Sequence, residues 1–324
     1  MEKRKLGTSD LNVPVICLGT NVYGWTLAEA EAFKQMDAAV DAGLNFIDTA
    51  DVYSRWAPGH MGGESESIIG KWLAKSGRRK DVIVATKVGM DMGDGKKGLK
   101  AAYIRRAVED SLRRLQTDYI DLYQAHQDDK ETALEETLRE FDALAEEGKI
   151  RFAGASNYSG ERLAEAMETS TRLGLRGYVS LQPHYNLVER QEFETELLTA
   201  VKKYELGVIP YFSLAAGFLT GKYQSKEDAE GKARENRVKQ YLNDWGLGVV
   251  AALKEVAEAH NSTPARVALA WLIAQPGVTA PIASATREKH LHDLIEATKL
   301  KLDAESLEKL TAVSSPQTPM EAQI

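Results

Sequence analysis

Four side chains stand where apolar runs end and could together move a proton. Asn45-Phe46-Ile47-Asp48 ends in a carboxylate, and Tyr53 follows five residues later. Val82-Ile83-Val84-Ala85-Thr86-Lys87 is an apolar run ending in an ammonium, and Ile120 to His126 ends in an imidazole. Each has an ordinary use alone: an aspartate caps a turn, a tyrosine packs, a lysine snorkels at an edge, a histidine is structural. Together they form a proton-delivery set. A phenol titrates near pH ~10 and is a weak acid at neutrality. A nearby ammonium favours the phenolate and lowers that value, while a carboxylate holds the ammonium in place. An imidazole orients a carbonyl. Such a set would hand a proton to the oxygen of a carbonyl that receives hydride.

These groups meet only if the ends of successive strands are gathered at one place. The sequence predicts strands at Val15–Leu18, Asn45–Asp48, Val82–Lys87, Tyr119–Tyr123, Ile150–Ala155, Tyr178–Gln182, Val208–Tyr211 and Ala280–Ala283. Helical patterns lie between them, including Leu27–Ala42, Glu64–Lys75, Ala101–Leu115, Glu131–Glu146, Gly160–Leu173 and Phe193–Tyr204. Strands that alternate with helices pair in parallel through crossovers. Eight such units, recurring roughly every thirty residues, predict an α/β chain folded as a closed (β/α)₈ TIM barrel, with a doubly wound open sheet as the alternative. In a barrel, catalytic groups sit at the C-terminal ends of strands and in the loops that follow.

Three segments fall outside the repeat. Lys3–Pro14, with a turn signal at Gly7–Asp10, suits an N-terminal hairpin plugging one barrel end; Lys222 to about Asn243 reads as a surface loop or lid. Two extra C-terminal helices are expected at Glu288–Thr298 and Ala304–Val313, then a mobile Pro-containing tail. Nothing resembles an interdomain linker, so residues 1–324 are expected to form a single domain.

The bulk properties narrow the function. A formal net charge of −7 argues against a nucleic-acid or anionic-membrane partner. No apolar run is long enough to span a bilayer. Cys17 is the only cysteine, which excludes an intrachain disulfide and multi-cysteine zinc sites and fits a cytoplasmic location. Gly217 to Lys222 superficially resembles a phosphate loop, but its spacing is one residue short and Tyr223 follows where a Ser or Thr would bind magnesium. His290 and His292 are two apart and face different ways on a helix, so no metal site is expected.

Gly43-Leu44-Asn45-Phe46-Ile47-Asp48-Thr49-Ala50, then Asp51-Val52-Tyr53 and Gly63-Glu64-Ser65-Glu66, resemble signatures of the aldo-keto reductase family, in its bacterial branch resembling potassium-channel β subunits. The resemblance runs from about Arg4 to Leu294 and implies an NADPH-dependent oxidoreductase that reduces an aldehyde or ketone. It implies a catalytic tetrad of Asp48, Tyr53, Lys87 and His126, with Tyr53 as proton donor. By the same resemblance, Gly19, Thr20 and Asp48 lie beside the nicotinamide, Ser156, Asn157 and Gln182 contact its carboxamide, and Tyr211 stacks on its ring. Phe212, Ser213, Leu214, Ala215, Gly217 and Lys222 match the loop around the pyrophosphate. Ser284, Thr286, Arg287, Lys289, His290 and Asp293 match the grip on the adenosine end. The chain departs from the family where Phe212-Ser213 replaces Ser-Pro and where Gln127-Asp128 follows His126.

Loops carrying Tyr23, Trp25, Trp56, His60, Met90 and Tyr185 are expected to line the substrate mouth, which suits a neutral apolar or ring-bearing carbonyl compound. The alternative is an NADPH-binding regulatory or redox-sensing protein like the channel β subunits. Their pattern has Asn where His126 stands, which favours a working reductase.

Overall fold

The computed structural model describes residues 1–316. Beyond a hairpin of β1 (Lys3–Lys5) and β2 (Asn12–Pro14), eight parallel strands follow in chain order: β3 Cys17–Gly19, β4 Phe46–Asp48, β5 Ile83–Val88, β6 Ile120–Ala125, β7 Ile150–Ser156, β8 Ser180–Gln182, β9 Gly207–Val208 and β10 Ile282–Ala283. Each strand pairs with its neighbour in sequence, and β10 pairs with β3. The remaining seam closes where Thr279 N–H donates to Val208 O at 2.8 Å and Ile282 N–H donates to Pro210 O at 2.8 Å. The sheet is therefore a (β/α)₈ barrel and not an open doubly wound sheet, and all eight expected strands lie within it.

The helices are α1 Glu29–Asp41, α2 Glu64–Ser76, α3 Ala101–Leu115, α4 Leu134–Glu146, α5 Gly160–Leu173, α6 Leu198–Lys203, α7 Glu235–Lys239, α8 Asp244–Ala259, α9 Pro264–Ala274, α10 Glu288–Ala297 and α11 Ala304–Val313. Capping chemistry sets several starts. The side chains of Ser159, Asn243, Thr263 and Asp303 each accept a backbone N–H of the first turn, and Pro264 occupies the first turn of α9. Helix α4 begins three residues later than the pattern beginning at Glu131. The Asp129 carboxylate takes the Glu131 N–H and the Thr132 hydroxyl and holds that stretch as a turn. The Phe193–Tyr204 pattern begins as a wide turn, Phe193–Leu197, before α6. The 222–243 segment is more ordered in form than a plain loop: it carries a short turn at Glu227–Ala229 and α7, and Ala229 and Val238 are buried. The expected tail lies largely outside the described residues.

Strand side chains alternate in and out. Cys17, Phe46, Ala85, Leu122 and Ile209 share an inner core with Leu6, Leu11 and Val13 of the hairpin, which thereby plugs the N-terminal end of the barrel. Gly7 makes this possible: its φ is +56°, and a Cβ there would run into the backbone of Val179 and Gly207. Two residues along from each inner position the apolar lining gives way to polar groups: Phe46 to Asp48, Ala85 to Lys87, and Leu122 to Gln124 and then His126. Among the described residues, no helix is long and apolar enough to cross a membrane.

Candidate active site

Lys87 is fully buried, and its ammonium has three partners. Its Nζ donates to Asp48 Oδ2 at 2.8 Å, to the Thr49 backbone oxygen at 2.7 Å and to the Tyr53 hydroxyl at 2.9 Å. The Tyr53 hydroxyl lies 3.4 Å from Asp48 Oδ2. Thus β4 supplies Asp48, β5 supplies Lys87, and the loop after β4 bends Tyr53 back over both. His126 follows β6, with its ring centroid 6.0 Å from that of Tyr53 at an edge-to-face angle. The four side chains expected to act together do meet at one barrel mouth.

Their electrostatics differ from the expectation in one respect. The phenol of Tyr53 is held well above its ordinary value, first by burial and then by the charge and hydrogen bond of Asp48. The expected lowering by Lys87 is outweighed chiefly because burial disfavours the phenolate, and then because the carboxylate that fixes the ammonium also opposes it. Tyr53 therefore keeps its proton at neutral pH. Burial first, then the Lys87 charge, holds His126 well below its ordinary value, so its imidazole is neutral. Its Nδ1 is buried without a hydrogen-bond partner among the described residues.

Beneath Asp48 a second polar tier fills the barrel. Gln182 Nε2 donates to Asp48 Oδ1 at 2.9 Å and to Gln124 Oε1 at 3.2 Å. Ser156 Oγ donates to the Gln182 backbone oxygen at 2.8 Å. Asn157 is in the left-handed region at φ 55° and donates to the His126 backbone oxygen at 2.8 Å. Tyr211 donates to Asn157 Oδ1 at 2.8 Å, and His184 stacks on Tyr211 at 5.2 Å. Sequence reasoning missed Gln124 and His184. The signal for Gln124 was an amide two residues before His126 on the same strand face.

The loop after β9 has an unusual backbone: Phe212, Ala215, Ala216 and Gly217 all have positive φ. The Lys222 ammonium hangs over Gly217, 3.4 Å from where a Cβ would stand. Arg287 is the residue before α10, whose first turn has no side-chain cap. Burial, then the Lys222 and Arg287 charges, pulls His290 below its ordinary value. Across the mouth, the guanidinium of Arg234 lies 6.0 Å from the Trp25 ring and that of Arg237 lies 4.7 Å from the Phe212 ring. Lys222, Arg234, Arg237, Arg287 and Lys289 have no carboxylate partner among the described residues. On a chain of net charge −7, five unpaired cations around one mouth fit an anionic, phosphate-bearing cofactor.

Several expected contacts are differently used. The Thr20 hydroxyl donates to the Asp48 backbone oxygen, and the Ser213 hydroxyl donates to Ile282 O, both at 2.8 Å. Both residues are buried, and the Thr20 backbone is engaged as well: its N–H donates to Asp48 O at 3.0 Å and its oxygen accepts from Tyr23 N–H at 2.9 Å. Ser284 donates to Asn21 Oδ1 at 2.9 Å, Thr286 meets His290 Nδ1 at 3.2 Å, and Asp293 accepts from Arg266 Nε at 2.7 Å. Gly19 packs under Ser284. Leu214 is part-buried and Ala215 is buried.

At the mouth, Trp25 and Trp56 meet edge to face at 5.7 Å, and Trp56 lies 5.9 Å from Tyr53 while 47% exposed. His60 and Met90 are part-buried nearby in the loops after β4 and β5. Tyr23 and Tyr185 are not mouth residues. Tyr23 is fully buried and donates to Gln35 Oε1 at 3.0 Å, and Tyr185 packs on Phe193 and donates to Glu194 at 2.8 Å. A phenol in a loop reads as binding or packing equally well, and here buried Gln35 and part-buried Glu194 hold the two rings inward.

Residues 15–315 match the model of the aldo/keto reductase family. The chain belongs to that family. It is 37% identical over 321 residues to the "uncharacterized oxidoreductase YrpG" of Bacillus subtilis, covering 97% of this chain and 96% of that relative. It is 34% identical over 324 residues to a probable voltage-gated potassium channel subunit beta of Oryza sativa, covering 97% and 96%. It is 33% identical over 347 residues to protein tas of Escherichia coli, covering 98% and 99%. As an aldo/keto reductase, the chain is an oxidoreductase that uses a nicotinamide cofactor and acts on small carbonyl compounds.

Two buried carboxyls of this aldo/keto reductase, Glu66 and Asp51, stand just outside the site. Glu66 is wholly buried and accepts from the Thr86 hydroxyl and, at 2.7 Å, from Arg114 Nε. Asp51, two residues before Tyr53, is buried with one oxygen unpartnered among the described residues. Burial, then the Glu66 charge, pushes its carboxyl up to about 8 against the pull of Arg114. The folded chain therefore holds a proton that the unfolded chain loses above pH ~4, so this group's contribution to stability falls as pH rises from about 4 to about 8. Asp51→Asn is expected to raise Tm relative to wild type above pH ~8 and to change it little at pH ~4. Thermal melts followed by circular dichroism at both pH values check this; an equal Tm difference at both would show that the Asp51 carboxyl ionises normally.

Proposed function

We propose that this protein reduces an aldehyde or ketone to the alcohol with NADPH, with Tyr53 as the proton donor. The observation that carries the reading is the contact of one buried ammonium, Lys87, with both the Tyr53 hydroxyl and Asp48. NADPH, when bound, supplies the hydride. Tyr53 holds its proton until the carbonyl oxygen gains charge. Lys87 favours the phenolate that remains, and Asp48 keeps Lys87 in place. His126, neutral in its buried setting, orients the carbonyl oxygen toward the phenol. Trp25 and Trp56 form an apolar wall beside Tyr53, which supports a neutral, ring-bearing or apolar substrate.

The residues proposed to hold the cofactor are those at the same mouth. Gly19, Ser156, Asn157, Gln182 and Tyr211 would take its nicotinamide end. The loop from Phe212 to Gly217, with Lys222, would take the diphosphate. Ser284, Thr286, Arg287, Lys289, His290 and Asp293 would take the adenosine end. Arg287 and Lys289, unpaired at the start of α10, favour the extra 2′-phosphate of NADPH over NADH. At roughly 1.5–3 kcal/mol for each charge-assisted bond, NADPH should be preferred by about tenfold or more in kcat/KM. The double variant Arg287→Ala, Lys289→Ala should lose most of that preference and leave NADH turnover little changed. Steady-state rates with both cofactors test this, and equal use of NADH and NADPH by the wild type would remove the assignment.

A second reading, a cytoplasmic NADPH-binding regulatory subunit with little turnover, draws on the likeness to a potassium channel subunit. Sustained NADPH oxidation across a panel of aldehydes, ketones and quinones separates the two. Purified protein that binds NADPH without turning over any of them would favour the regulatory reading.

A further inference from the structure

Asp48 divides its carboxylate between two tasks. Oδ2 meets Lys87 and Tyr53. Oδ1 meets only amides: Gln182 Nε2 at 2.9 Å, with Gln124 Nε2 at 3.5 Å. Gln182 Nε2 donates in turn to Gln124 Oε1 at 3.2 Å. A glutamine amide has a donor end and an acceptor end, and the wrong orientation here would set Gln182 Oε1 against two oxygens, Asp48 Oδ1 and Gln124 Oε1. Gln124 Oε1 thus works with Asp48 to select the orientation of Gln182. Gln182 Oε1 is then the end that Asp48 does not use.

The fold makes room for this pair. Gln124 lies in register between Lys87 on β5 and Gly154 on β7, and it is fully buried. A Cβ at Gly154 would stand 3.1 Å from Gln124 Cγ and 2.5 Å from Ser180 Oγ. An apolar side chain would fill this interior position without the cost of desolvating an amide. Packing alone therefore gives no reason for a glutamine.

We propose that Gln124 is a positioning residue for the reaction: through Gln182 it fixes Asp48 Oδ1, and so the seat of Lys87 beneath Tyr53. The inference rests on the reading of Tyr53 as proton donor. The charged and titratable groups that face Asp48 are Lys87 from β5, Tyr53 from the loop after β4 and Cys17 from β3, and His126 at the end of β6 faces Lys87.

The test uses the full-length enzyme, with NADPH and 4-nitrobenzaldehyde as probes. Wild-type turnover is measured first and bears on the Tyr53 reading alone. Gln124→Met keeps the side-chain length and removes the hydrogen bonds. It is expected to lower kcat by about tenfold, with KM for the aldehyde and the NADPH Kd from tryptophan quenching each within about threefold. Gln124→Glu adds a carboxyl beside Asp48. Ionised, it repels the carboxylate; protonated, it donates as the amide does, so kcat should climb about tenfold as pH falls from about 8 to about 6 relative to wild type. A Gln124→Met enzyme with kcat within twofold of wild type, or a Gln124→Glu enzyme with the wild-type pH profile, overturns the proposal. A crystal structure of Gln124→Met decides without any turnover: Gln182 Nε2 must have left Asp48 Oδ1, and a contact kept at 2.9 Å refutes the role.

Discussion

Tyr53→Phe is expected to lower kcat for carbonyl reduction by about a hundredfold or more, the range over which a positioned general acid acts. The substitution removes one oxygen and keeps the ring, which packs edge to face on Trp56 and His126. The lost hydroxyl contacts Lys87 and Asp48, and both keep their contact with each other at 2.8 Å. Stability should therefore change by no more than about 1 kcal/mol, the net worth of one hydrogen bond. Stopped-flow or steady-state turnover, with NADPH affinity measured separately by fluorescence, distinguishes loss of the acid from loss of binding. A variant that turns over near the wild-type rate would move the proton to another donor, with His126 the next candidate.

Lys87→Met is expected to do two things at once. It strips the phenol of the charge that favours phenolate, so kcat should fall at least as far as in Tyr53→Phe. It also leaves a carboxylate in a site where both partners are essentially inaccessible, at 0% and 1% side-chain exposure. Removing one member of a buried pair costs about 3–5 kcal/mol. Denaturant melts should show this loss in Lys87→Met and a much smaller one in the double variant Lys87→Met, Asp48→Asn. Equal losses in the single and double variants would mean that the pair contributes packing and little else.

Much of this site was legible in the sequence because period-two alternation carries it. Each of Asp48, Lys87 and His126 ends an apolar run, and the structure places all three on the inner face at one end of the barrel. Tyr53 was legible from its nearness to Asp48. What was not legible is direction. Nothing local tells that Tyr23 turns into the helix layer toward Gln35, or that the Ser213 hydroxyl turns down onto Ile282. Both depend on partners more than ten residues away in the chain, and tertiary contacts decide them. The rise in the Tyr53 phenol was missed for a related reason: sequence shows which charges are near, while burial, its largest cause, is a property of the closed barrel. Arg234 and Arg237 lie in the segment that the sequence marks only as a surface loop or lid, and the path of that segment brings them over Trp25 and Phe212.

The regular ladders of the barrel are longest around β6, which pairs with β5 over four positions and with β7 over five; on the other side shorter strands are joined by further backbone bonds, such as Ile209 N–H to Leu181 O at 3.0 Å and Tyr211 N–H to Pro183 O at 2.9 Å. Lys87, Gln124 and His126 stand on or directly beyond the longest ladders. Tyr211, Lys222 and the Ser284–Asp293 stretch extend from the shorter strands. On the proposed reading, the dinucleotide would therefore be gripped by loops that leave the shorter strands, with Lys87, Gln124 and His126 set on the longest ladders across the mouth.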